Sequence, residues 1–142
     1  MNVLVTGAGG FIGTALAQEL LSASTPLGAI GRLALVDQRL DGISADPRVH
    51  AIEGDFGDDR VLSEALQPAV DLIFHLASVP GGLAEREFDL GMRVNLHSMI
   101  ALLEAVRRQE RLDPARREPV ADVEPMRVDV MNHEPSRPKT SA

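Results

Sequence analysis

No cysteine, tryptophan or tyrosine occurs among the 142 residues of this chain. Without cysteine there is no disulfide, no thiolate metal site and no cysteine nucleophile. Aromatic residues make up 3%, all of them phenylalanine, and lysine occurs once, as Lys139. The formal net charge of −7 argues against a nucleic-acid partner, which requires a basic face. No apolar run reaches membrane-spanning length. Met1 leads directly into a strand-like run, without the basic and apolar segments of a secretory signal. A cytoplasmic location with no membrane partner is therefore expected. Hydrophobic content is ordinary at 44%, enough for a modest core in one domain.

What is present is concentrated in Val3-Leu4-Val5-Thr6-Gly7-Ala8-Gly9-Gly10-Phe11-Ile12-Gly13. An apolar β-branched run ends in a glycine-rich turn, and a helical pattern, Thr14 to Leu21, comes at once after it. Gly7 lets the backbone turn sharply off the strand, Gly10 leaves room for a pyrophosphate, and Gly13 lets the helix pack close to the strand. The helix start at Phe11 and Ile12 offers unpaired N–H groups and the positive dipole end to phosphates. A second strand, Arg32 to Val36, ends at Asp37, roughly twenty residues past the turn, where an acid accepts hydrogen bonds from ribose hydroxyls. A carboxylate there repels a 2′-phosphate, so NAD is expected in preference to NADP; Arg39 nearby would soften that preference. The plainer alternative is a glycine-rich turn and a surface aspartate with no ligand.

The spacing Thr6-Gly7-x-x-Gly10-x-x-Gly13 resembles that of the short-chain dehydrogenase/reductase superfamily, in its extended branch of NAD-dependent epimerases and dehydratases. The likeness runs from Met1 to about Gln109. Within that branch, Phe74 to Glu85, Phe88 to Gly91 and Arg93-Val94-Asn95-Leu96 are similar to the D-erythronate dehydrogenase group. The resemblance implies an α/β fold with a Rossmann-type parallel sheet, incomplete at about four strands in the order 3-2-1-4. It implies that Asp55 accepts from the adenine amino group and that the backbone of Phe56 meets the ring edge. It also implies that Leu76, Ala77 and Ser78 face the pyrophosphate and nicotinamide ribose, and that Asn95 bonds to backbone near strand four. A carbohydrate-type substrate and a homodimer belong to the same expectation. For Asp55, turn formation or capping of the next helix is the competing reading.

The rest of the chain is read by periodicity. Helix one spans about Gly10 to Ser22, with Ile12, Ala15, Leu16 and Leu20 as its sheet-facing side. Strand three is Val49 to Glu53, and after it comes a short helix from Asp58 to Leu66 with acids at its positive end. Strand four is Val70 to Leu76. The stretch Pro80-Gly81-Gly82 reads as a flexible turn. One long helix is expected from Glu85 to Glu110, with Leu90, Val94, Met99, Leu102, Leu103 and Val106 on its apolar side. His75 reads better as a half-buried, hydrogen-bonded strand-end residue than as a proton-transfer group. The truncated dinucleotide-binding domain is expected over residues 1–112. Residues 113–142 hold five of the nine prolines and no apolar period, which suggests a disordered tail, with Met126 to Met131 the lone strand candidate.

The chain departs from the resembling superfamily in one respect. There the chemistry rests on a Tyr-x-x-x-Lys pair, and this chain has no tyrosine. No catalytic residue is therefore assigned. His50, His75, His97 and His133 lack metal-ligand spacing, so no metal site is expected, and no Gly-x-Ser-x-Gly elbow is present. The expectation is a chain that binds NAD and does not turn over alone, a fragment or shortened relative. A catalytically silent NAD-sensing or interaction module and a non-functional fragment are the alternatives.

Overall fold

The computed structural model describes residues 1–22 and 27–112, with side chains as far as residue 109. The tail read as disordered and the strand candidate Met126 to Met131 lie outside the described residues, as do Ser24, Thr25 and Pro26. Four strands, β1 (Asn2–Thr6), β2 (Arg32–Asp37), β3 (Val49–Glu53) and β4 (Leu72–His75), form one sheet in the order β3-β2-β1-β4. Every pairing is parallel, with Leu4 opposite both Ala34 and Ile73. The α/β class and the strand order match the expectation.

Alternation along the strands divides the core in two. Val3, Val5, Leu33 and Leu35 face one layer, where they meet Ala17 and Leu20 of α1 (Phe11–Leu21). Leu4, Ala34, Val36 and Ile52 face the other, where they meet α2 (Asp59–Ala65) and Leu102 of α5 (Ser98–Leu112). β1 and β2 are thus covered on both faces, which is why they read as continuous apolar runs. Each such buried leucine or valine contributes roughly 1.5–3 kcal/mol. Because all four strands run the same way, their carboxyl ends share one edge of the sheet.

Two helix expectations are corrected. The sheet-facing side of α1 is Gly13, Ala17 and Leu20 with Leu16 beside them, whereas Ile12 is 66% exposed and Ala15 is also exposed. Gly13 occupies the tightest point, and a residue with no side chain leaves no mark in a hydrophobic count. The expected single helix from Glu85 is instead α3 (Gly81–Arg86), α4 (Phe88–Met92), a π-helical turn (Arg93–His97) and α5. Glu87, with φ −121° and ψ 69°, breaks the first junction. Pro80 is the N-cap of α3, so Gly81 and Gly82 are helical, not a loop. Leu103, placed on the apolar side by periodicity, is 60% exposed, and its neighbour Leu102 is the residue α5 turns to the core.

Candidate functional site

The carboxyl ends of the four strands line a cleft of about 410 Å³. That volume lies within the range of small-molecule sites, about 300–1,000 Å³. Gly7 comes just after β1, Asp37 ends β2, Gly54 and Asp55 come after β3, and Leu76, Ala77 and Ser78 come after β4. Eight of the twelve residues expected from sequence line it: Gly7, Gly10, Asp37, Asp55, Phe56, Leu76, Ala77 and Ser78.

The turn between β1 and α1 is built by close approach. Gly7 has φ +70°, and a Cβ there would lie 2.6 Å from the Ala77 nitrogen. No L side chain fits both the angle and the gap. A Cβ on Gly13 would strike the Gly7 carbonyl oxygen and come within 2.7 Å of Ala8 Cα. Gly10 is the least crowded of the three, its nearest neighbour being the Gly7 oxygen at 3.3 Å, and it opens onto the cleft. Gly10 caps α1 without any side-chain hydrogen bond. The amides of Phe11, Ile12 and Gly13 therefore begin the helix without a side-chain acceptor. The Phe11 side chain is 93% exposed, so its contribution here is its backbone.

Asp37 is held by its own surroundings. Its Oδ2 accepts the Gly9 amide at 2.9 Å and its Oδ1 accepts the Gln38 amide at 2.7 Å. A Cβ on Gly9 would strike the Arg39 carbonyl oxygen, so this glycine lets the turn reach the acid. Sequence reasoning missed Gly9, although the Gly9-Gly10 pair was a visible signal. The Arg39 guanidinium turns away to Asp41 Oδ2 at 2.9 Å and does not line the cleft.

At the end of β3, Asp55 Oδ1 accepts the Gly57 amide at 3.0 Å and Oδ2 accepts from Arg93 Nη1 at 2.9 Å. The turn-forming reading of Asp55 is thus realised, while capping of α2 falls to Asp58, whose Oδ1 accepts the Arg60 amide at 2.8 Å. Phe56 is 6% exposed, with its ring 4.9 Å from the His75 ring. His75 Nδ1 lies 2.6 Å from the Thr6 hydroxyl. Burial lowers the His75 pKa from 6.5, favouring the neutral ring, whose Nδ1 shares a hydrogen bond with the Thr6 hydroxyl.

Asn95 does not line the cleft. It braces the wall from behind, its Oδ1 accepting the Val79 amide at 2.7 Å and its Nδ2 donating to the Val79 carbonyl at 3.0 Å. This is the bond to backbone beyond strand four that the resemblance implied. Val36, Leu83, Leu90 and Val94 add apolar wall that sequence reasoning did not assign. Leu90 and Val94 come from the segment read as one helix, and Leu83 comes from α3, which begins before it.

The arrangement suits an elongated ligand with an anionic middle. Phe11, Ile12 and Gly13 follow Gly10 at the start of α1 and do not themselves line the cleft; acids stand at the end of β2 and just past β3, and apolar surface lies between them. Among the described residues no group of three metal-ligating side chains converges, and no helix is long and apolar enough to cross a membrane.

Residues 3–116 match the NAD dependent epimerase/dehydratase family. The chain is 47% identical over 117 residues to D-erythronate dehydrogenase of Cupriavidus necator, covering 75% of this chain and 35% of that protein. A nucleoside-diphosphate-sugar epimerase from Agrobacterium tumefaciens superposes with a TM-score of 0.68 at 30% identity, over 80% of this chain and 34% of that one. A dTDP-glucose 4,6-dehydratase from Streptomyces venezuelae, with NAD bound, superposes with a TM-score of 0.66 at 26% identity, over 74% of this chain and 35% of that one. The chain spans about a third of the length of the curated D-erythronate dehydrogenases it matches, 35% and 34%.

Proposed function

The chain belongs to the NAD-dependent epimerase/dehydratase family, and on that footing we propose that its cleft is an NAD site that holds the cofactor without turning a substrate over. The observation that carries the reading is the glycine turn: its backbone, at Gly7 and Gly13, is shaped by contacts that exclude any side chain, and it ends in open amides at the start of α1. Those amides, from Phe11, Ile12 and Gly13, would hold the pyrophosphate. Asp37, already oriented by Gly9, would accept from the adenosine ribose hydroxyls and disfavour a 2′-phosphate. The base would lie at Asp55 and Phe56, and the nicotinamide ribose along Leu76, Ala77 and Ser78. Asn95 would keep that second wall in place through Val79.

When bound, NAD supplies a hydride acceptor for a carbon bearing a hydroxyl. In the resembling superfamily a tyrosine takes the hydroxyl proton, and this chain contains none. His75 is a poor substitute, since its Nδ1 is engaged by Thr6 and burial disfavours the imidazolium it would become on taking the proton. The substrate class of a complete relative would be a sugar acid or a nucleotide sugar, from the names of the proteins it resembles. The test is NADH fluorescence on binding, combined with an assay of NAD reduction by D-erythronate. Saturable binding with no turnover is expected; turnover by this chain would overturn the inactive part of the proposal.

A catalytically silent NAD-sensing or interaction module is the second reading. It is favoured by the outer side of β4, which pairs only with β1 among the described residues. Unpaired strand edges recruit other strands.

A further inference from the structure

We infer that Arg93 is a positioning residue for the base end of the cleft: it holds the Asp55 carboxylate in place and so sets the preference of that end for an amino-bearing purine. The inference rests on the NAD reading above and extends it to a residue that lines no part of the cleft.

The order of the sheet locates the base. With the diphosphate at the glycine turn after β1 and the ribose at Asp37 after β2, the next position outward is the end of β3. The charged side chain lining the cleft there is Asp55. A carboxylate accepts hydrogen bonds and donates none, so a purine amino group suits it and a purine carbonyl does not.

Arg93 determines where that carboxylate points. One oxygen is tied to the Gly57 amide at 3.0 Å and the other to Arg93 Nη1 at 2.9 Å. Each oxygen keeps a second lone pair, which leaves the group able to accept from a ligand. Remove Arg93 and one tether is lost, so the side chain is freer to rotate about its bond to the backbone.

Arg93 is itself fixed from two directions. Its carbonyl accepts from the Ser98 hydroxyl at 2.9 Å, and Ser98 is 4% exposed. Gly57 packs on that hydroxyl so closely that a Cβ would lie 2.5 Å from it. The turn after β3 is therefore interlocked at two points, with the π-helical turn through Arg93 and Asp55 and with the start of α5 through Ser98 and Gly57. Two residues further on, Asn95 grips Val79 on the opposite wall. A single π-helical turn thus connects both walls, and the 2.9 Å pair is the side-chain link on the base side.

The experiment compares NAD with its hypoxanthine analogue, in which a carbonyl replaces the purine amino group, on the intact chain. The wild type is expected to prefer NAD by about tenfold, the size of one charge-assisted hydrogen bond. R93Q is expected to lower that preference to about threefold or less while binding the analogue as the wild type does, and R93K to fall between them. Arg93 is largely exposed, so both variants are expected to fold. A wild-type preference kept intact in R93Q overturns this inference and leaves the NAD reading standing. Equal weakening of both dinucleotides in R93Q also overturns it, because that is what a merely structural residue would give. Failure of the wild type to bind either dinucleotide overturns both.

Discussion

The Thr6 hydroxyl stands 2.6 Å from His75 Nδ1 and accepts the Ala77 amide at 3.4 Å, so one buried oxygen joins the carboxyl ends of β1 and β4. Thr6 is 1% exposed, which makes its partners costly to lose. T6V keeps the shape but leaves His75 Nδ1 without its hydrogen-bond partner and the Ala77 amide without its acceptor. It is expected to lower stability by about 1–3 kcal/mol. T6S, which retains the oxygen, is expected to cost less. Urea unfolding of the three proteins, compared at constant slope, is the measurement.

Burial also makes this pair sensitive to pH. The folded chain lowers the His75 pKa below 6.5, so below that pH the unfolded chain binds the proton more readily. The contribution of His75 is therefore fully present above pH 6.5. It is lost as pH falls toward the lowered folded value, and below that the slope flattens. H75Q removes the titrating group. The unfolding free energy of the wild type is expected to fall relative to that of H75Q as pH drops through this acidic window, and the difference to be constant above it. Urea unfolding of both proteins across the acidic range is the check.

The four strands and the glycine turn were legible because their signals are local. The sequence pattern bounds β3 at Val49 and Glu53, and the apolar run after the glycine turn, with its spacing, puts Asp37 at the end of β2. The failures have a common cause in close contacts that no hydrophobic periodicity encodes. The sheet-facing side of α1 turns on Gly13 meeting Gly7, which has no hydrophobic signature. The break between α3 and α4 lets Gly91 approach Ala84 so closely that a Cβ would lie 2.7 Å from the Ala84 methyl. The Arg93–Asp55 pair spans 38 residues, and nothing near either residue announces the other.

Two glycines of the turn are expected to separate folding from binding. G13A drives a methyl into the Gly7 carbonyl and is expected to cost about 1–3 kcal/mol as α1 is pushed off the sheet. G10A meets only one oxygen, at 3.3 Å, and is expected to stay folded while its methyl obstructs the diphosphate. Thermal unfolding and NAD titration, run on both variants, check the split. Equal stability losses in the two would contradict it.

Asp37 is expected to set the choice between NAD and NADP. The wild type should bind NAD at least about tenfold more tightly, since a carboxylate close to a phosphate is repelled by about 1 kcal/mol or more. D37S removes that repulsion together with the ribose acceptor. It should weaken NAD and bring the two cofactors to within about threefold of one another. Arg39 offers little relief to NADP in the wild type while it is turned to Asp41. Competition of each cofactor against NADH fluorescence gives both constants.

The most direct measurement is a calorimetric titration of NAD into the wild-type chain, with circular dichroism confirming its α/β content in the same buffer. Saturable binding to one site, abolished in G10A without loss of the folded signal, is the result expected from a diphosphate held by the amides that open α1. A folded chain that takes up no NAD at millimolar concentration would contradict the account at its base.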